Sequence, residues 1–222
     1  MIDRKKVKAM ALSMLACTIV VCVLFIYTIR SWASSEFRSN LSMKYMPITT
    51  ASTAYGIYIK DEERFQNEKL VYAKQVYGIS VKTGDVFSFM PFVAHKHLHY
   101  SRQETKKLAG MDINLGAHSS NFFIKDRIRS EYHVTDKFYR FRNATEIGYS
   151  MLTEHLSFFG RYEFRFDRDQ QRINMNDIAG GIIIKPVKSL SVRLYYNREL
   201  KRRNTDSWKK TDALCFGVGA VL

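Results

Sequence analysis

The sequence predicts an all-β protein, a transmembrane antiparallel β-barrel of about ten strands behind an N-terminal export segment. Three observations carry that expectation. Side chains alternate with a period of two through segments of ten or more residues. The apolar face of that alternation is mostly aromatic or branched, and the other face is rich in Arg and Glu. One long uncharged run lies at the N-terminus and no second one follows it. Strands that cross lipid need roughly 9–11 residues, apolar outward and polar inward, which is the pattern seen.

The N-terminal segment comes first. Arg4, Lys5, Lys6 and Lys8 precede an uncharged run from Ala9 to Ile29, followed by Arg30 and Ser31-Trp32-Ala33-Ser34-Ser35. A positive start, an apolar stretch and small residues at the exit form an export signal with cleavage expected after Ala33 or Ser35. The competing reading is an uncleaved anchor, because a spanning helix needs about 20 apolar residues. Residues 1–33 are therefore assigned to a signal peptide or anchor, 34–52 to an N-terminal extension, and 53–222 to the barrel.

The clearest strand is His155 to Asp167. Leu156, Phe158, Gly160, Tyr162, Phe164 and Phe166 share one face; Arg161, Glu163, Arg165 and Asp167 share the other. Phe122 to His133 sets Lys125, Arg127, Arg129 and Glu131 against Phe122, Ile124, Ile128 and Tyr132. Phe138 to Met151 sets Arg140, Arg142, Glu146 and Gly148 against Tyr139, Phe141, Ile147 and Tyr149. Ser189 to Leu200 alternates as well, with Arg193 and Glu199 on its polar face. Less regular strands are expected at Thr53–Lys60, Lys69–Val81, Asp85–Ala94, Gly110–Ala117, Asn174–Lys185 and Asp212–Leu222. Turns are expected at Lys82–Asp85, Val134–Lys137 and Lys185–Lys188. The polar stretches Lys96–Lys107 and Lys201–Lys210 read as longer loops. A soluble periplasmic β-sandwich binding protein, anchored in the inner membrane by residues 9–29, is the alternative.

The net charge is +14, from 35 basic and 21 acidic residues. Five of the basic residues and one acid precede Ser34, so 30 basic and 20 acidic remain. An exported barrel turns that excess toward lipid head groups or anionic solutes and away from nucleic acid. The expected location is the outer membrane of a Gram-negative bacterium. The expected partners are the bilayer, its lipopolysaccharide and the barrel-assembly machinery. Cys17 and Cys22 lie in the apolar run, so Cys215 alone would remain after cleavage and no internal disulfide is expected. No cofactor is expected.

Three constellations bear on function. The charged faces converge on one lumen if the strands pair as hairpins: Arg127, Arg129, Glu131, Arg140, Arg142, Glu146, Arg161, Glu163, Arg165 and Arg193. Such a set either fills the barrel as a structural ion-pair network or lines a narrow path that favours anions. His95, His97 and His99 fall at i, i+2, i+4 and would share a strand face, a candidate for a metal site. The third is His118-Ser119-Ser120-Asn121 with Glu131 downstream.

The Arg and aromatic alternations in Arg127-Ile128-Arg129-Ser130-Glu131, Arg140-Phe141-Arg142, Asn174 to Ile182 and Leu194-Tyr195-Tyr196 resemble those of a family of outer-membrane barrels defined only as a domain of unknown function. That resemblance spans about Tyr55 to Leu222 and implies fold and location, with no reaction. The His-x-Ser-Asn stretch resembles the motif of outer-membrane lipid A deacylases. It implies Ser120 as nucleophile, His118 as its base, Glu131 orienting the His and Asn121 at the oxyanion. About a hundred residues follow the motif here, which departs from that family.

Overall fold

A computed structural model describes residues 36–222 except 51, 68, 100–103, 152–154 and 203–206. The export segment and its cleavage positions lie outside the described residues. Residues 35–222 form one compact unit.

Alternation makes the strands, and the strands make a closed barrel rather than a sandwich. Eleven are described: β1 (Glu36–Thr49), β2 (Thr53–Gln66), β3 (Lys69–Thr83), β4 (Phe87–Leu98), β5 (Glu104–Ser119), β6 (Phe122–His133), β7 (Phe138–Met151), β8 (Leu156–Asp167), β9 (Arg172–Val187), β10 (Leu190–Arg202) and β11 (Trp208–Val221). Every sequential pair is antiparallel. The ring closes between β1 and β11, which run parallel over eight register pairs, from Phe37↔Leu214 to Lys44↔Val221.

Two expectations are corrected by this. Among the described residues there are eleven strands rather than about ten, and most of the segment 34–52, read as an extension, is β1 (Glu36–Thr49). Leu41, Met43 and Tyr45 face outward from β1, while Arg38 is buried inside. The short side chains of Ser39, Asn40 and Ser42 and the break at Pro47 hide this alternation; the β1–β2 register shifts between Tyr45 and Ile48.

The strands also run further than predicted. β4 and β5 take up most of Lys96–Lys107, and β10 and β11 take up both ends of Lys201–Lys210. β9 continues through Pro186 to Val187, so the hairpin to β10 turns at Lys188 and Ser189 instead of Lys185–Lys188. A register shift between Leu190 and Val192 absorbs the difference. The turn after β3 has Gly84 at a φ of 58°, a left-handed geometry glycine adopts freely.

The outer surface is a band of large apolar side chains. Leu41, Ile57, Ile79, Val93, Phe122, Ile147, Phe158, Ile178 and Tyr196 are all exposed on it. A contiguous apolar surface of this kind is foreign to water and suits lipid. The inner face holds the charged side chains together with two apolar clusters. Phe123, Phe159, Ala179, Ile183, Tyr195, Ala213 and Cys215 form one; Val76, Met90, Phe92, Ala94 and Leu108 form the other. The turns at Gly84, at Ser120–Asn121 and at Lys188–Ser189 lie on one rim with Leu222. Those at Val134–Lys137 and Arg168–Gln171 lie on the opposite rim with Glu36.

Candidate functional site

The inner face is built strand by strand from residues two apart. On β6, Lys125, Arg127, Arg129, Glu131 and His133 point inward; on β7, Arg140, Arg142 and Glu146; on β8, Arg161, Glu163, Arg165 and Asp167; on β10, Arg193 and Glu199. The structure thus brings all ten lumen residues named from the sequence to one interior.

Register decides what meets what. Arg129 lies across from Arg142, and Arg142 across from Arg165, a row of three guanidiniums on three strands. Arg127 faces Ala144, and Arg140 faces Glu131. Like charges side by side destabilise a sheet, and the carboxylates interleaved with the row offset this. Arg129 donates to Asp112 through Nε and Nη2 at 2.5 and 2.6 Å, a two-pronged contact. Arg142 donates to Glu163 through Nε at 2.8 Å and also through Nη2. Arg127 Nη2 reaches the other oxygen of Glu163 at 3.0 Å. Glu131 accepts from Lys74 Nζ at 3.2 Å and lies 3.5 Å from Arg129 and 3.8 Å from Arg142.

These groups form a dry belt: the side chains of Lys74, Asp112, Arg129, Glu131 and Glu163 are 2–6% exposed. On its far side, Arg140 pairs with Asp167 at 2.5 and 3.1 Å, Asn174 also donates to Asp167, and Arg38 and Arg64 share Glu199 at 3.2 and 3.3 Å.

Sequence reasoning missed part of this interior, namely Arg38, Lys60, Glu62, Arg64, Lys74, Asp112 and Asp177. In β2 the run Lys60-Asp61-Glu62-Glu63-Arg64 is charged on both faces, so period two is invisible there. Asp177 stands on β9, where a register shift between Arg165 and Phe166 leaves Asn174 unpaired and breaks the alternation.

Toward the Leu222 rim the interior opens. A cavity of about 370 Å³ is lined by Lys44, Lys82, Lys125, Arg127, Arg161 and Arg193, with Asp85, Asp126 and Glu146 as its acids. Glu146 accepts from Arg193 at 2.7 and 3.2 Å and lies 3.9 Å from Lys125. At the edge of this mouth, Lys82 donates to Asp85 at 2.7 Å, and that hydrogen bond holds the exposed carboxyl below its usual range.

The deacylase constellation is not assembled. His118 pairs in register with Phe123, and Glu131 lies eight residues further along β6, about 26 Å at ~3.3 Å per residue. Glu131 is committed to the belt, and Asn121 Nδ2 donates to the Tyr149 hydroxyl at 3.2 Å. β5 ends at Ser119, which leaves Ser120 in the turn with a φ of 49°.

The three histidines are not gathered into one site either. His95 and His97 alternate with Lys96 and point away from the lumen; His97 Nδ1 is 3.0 Å from the Thr105 hydroxyl, and His99 lies beyond the strand. Among the described residues no group of three metal-ligating side chains comes together.

A closed ring of β-strands with an apolar outer band and an ionic interior defines the chain as a porin-like barrel in fold. Among solved structures it is similar to the NanC porin, at a TM-score of 0.50 and 9% identity, over 84% of this chain and 99% of the porin. It is also similar to the KdgM porin, at 0.45 and 10%, over 80% of this chain and 94% of that one. At such identities the likeness is one of fold. No protein-family model and no curated protein sequence matches the chain.

Proposed function

We propose that the barrel resides in the outer membrane of a Gram-negative envelope and offers a narrow, anion-favouring path through its lumen. The observation that carries this reading is the wall of the mouth, where six cations stand against three acids. Rings of Arg and Lys draw anions inward and repel cations. The apolar band supports the membrane location, with bilayer lipid and lipopolysaccharide as its surroundings and barrel-assembly machinery as its route there.

The test is the reversal potential of the purified barrel in planar bilayers under a potassium chloride gradient. A potential on the chloride side is expected, and one on the potassium side refutes the reading. The dry belt favours a second reading, a structural barrel without flux. A barrel that shifts on gels after boiling, and so is folded, yet never conducts would establish it.

Glu146→Gln sharpens the test. Its partners Arg193 and Lys125 are 31% and 50% exposed, so water takes over their hydration when the carboxylate goes. The expected stability loss is within about 1 kcal/mol. Anion selectivity is expected to rise, because the mouth loses one of its three acids.

A further inference from the structure

Beneath the mouth lies a second chamber, of about 300 Å³, whose lining includes Lys60, Arg127, Arg161, Arg193, Tyr58 and Tyr195. Three of its cations also line the mouth, so the two spaces adjoin. The chamber exists because one wall is small. Ser42, Ser191, Gly217 and Gly219 face it from β1, β10 and β11, where other strands send Arg or Phe inward. At about 30 Å³ per water it has room for roughly ten waters, or for one compact solute with part of its hydration.

Its chemistry is one-sided. Among the described residues no carboxylate lines the chamber. The acids behind the wall are shared: Glu62 lies between Lys60 and Arg64, Glu146 between Lys125 and Arg193, and Glu163 between Arg127 and Arg142. Positive charge is therefore left over. Arg127 Nε and Arg161 Nε, both buried, have no hydrogen-bond partner among the described residues. Arg161 makes only a long ion pair with Asp177, at 3.8 Å, among the described residues. Donors abound and acceptors are few, limited to hydroxyls and the Asn40 amide. A sugar hydroxyl, which gives as well as takes, gains little here.

The directions matter as well. The four cations come from β2, β6, β8 and β10, on different sides of the space. A planar carboxylate is satisfied by one guanidinium fork, whereas a tetrahedral oxyanion accepts from several directions at once.

We infer that this chamber is a binding site for a phosphate group, either inorganic phosphate or the phosphoryl head of a small solute, held by Lys60, Arg127, Arg161 and Arg193. The inference rests on the anion-favouring lumen proposed above and adds a resting place within it.

The experiment is calorimetric titration of the folded barrel in detergent at constant ionic strength, with inorganic phosphate, glycerol phosphate and acetate as probes. Phosphate is expected to bind at least about tenfold more tightly than acetate, through several charge-assisted hydrogen bonds against one fork. Equal affinity for glycerol phosphate assigns the site to phosphoryl heads, and binding of the inorganic ion alone assigns it to free phosphate.

Gly217→Val fills the chamber without touching a charge. A Cβ there would meet Arg193, and the backbone and side chain of Asn40, at 3.7–3.8 Å, ordinary contact distance. It is expected to weaken phosphate binding about tenfold or more, as a steric loss of charge-assisted contacts. Lys60→Met is the second variant and is expected to act in the same direction; it leaves Glu62 paired with Arg64. Phosphate binding no tighter than acetate, or unchanged in both variants, overturns the site. The chloride reversal potential is read on the same preparations. A barrel that favours chloride but ignores phosphate defeats this inference alone, whereas loss of chloride preference defeats the reading beneath it.

Discussion

Glu163→Gln is expected to lower the stability of the barrel by about 3–5 kcal/mol, the range for leaving a buried charge without its partner. Glu163 is 3% exposed and accepts from two guanidiniums, Arg142 and Arg127. The amide keeps the shape and removes the charge. Arg127 already has an unpartnered Nε, and the next ion pair of Arg142 is the longer one to Glu131, at 3.8 Å. An arginine does not escape by losing its proton. The measurement is the temperature at which the folded band on an unboiled gel gives way to the unfolded one, supported by urea titration. A change below about 1 kcal/mol would mean that water reaches the belt and screens it. The contrast with Glu146→Gln is informative, since both acids bridge two cations: Arg127 and Arg193 are about equally wet, but Glu163 with Arg142 is drier than Glu146 with Lys125.

The second large effect is steric. In Gly181→Ala the new Cβ would collide with the Leu194 carbonyl oxygen and stand 2.5 and 2.6 Å from Tyr195 Cβ and Cα. Two of these three atoms are backbone of the neighbouring strand, so no side chain can swing aside. Overpacking a filled interior costs about 1–3 kcal/mol, and more where backbone must move. We expect Gly181→Ala to lose at least that much, or to fail to close. Gly160→Ala is the control: a Cβ there meets nothing within 4 Å, and the glycine faces outward beside Phe158 and Tyr162. It is expected to be neutral or slightly stabilising, since alanine costs less chain entropy in a strand than glycine does. Refolding yield in detergent, scored by the band shift, reads both. Equal behaviour of the two variants would sink the register drawn between β9 and β10.

The sequence was most legible where one face carries long charged side chains and the other aromatics, as in β6, β7, β8 and β10. There the inward arginines follow from alternation alone. It was least legible in β1, where short polar residues and Pro47 blur the contrast, and in β2, where five consecutive charges erase it. The partner of each arginine was not readable, because partners are set by register and by strands distant in sequence. Arg64 meets Glu199 across 135 positions, and Lys74 meets Glu131 across 57. The His118 and Ser120 motif shows the reverse case: adjacency in sequence placed candidates together that the strands then carried apart from Glu131.

The parallel junction of β1 and β11 has a consequence for assembly. Every other neighbour pair joins strands consecutive in sequence, a local and rapid event, so the sheet can grow as a curling ribbon of hairpins. The junction joins segments nearly the full chain apart, and bringing distant segments together is the slow part of forming non-local pairs. Its bonds are slanted and somewhat weaker per residue than antiparallel ones, and it has only eight paired positions. Until it forms, the ribbon presents two free edges, each a template for pairing with another chain. Completion of the ring therefore waits on β11 meeting β1, and amide hydrogens should exchange first along that same line.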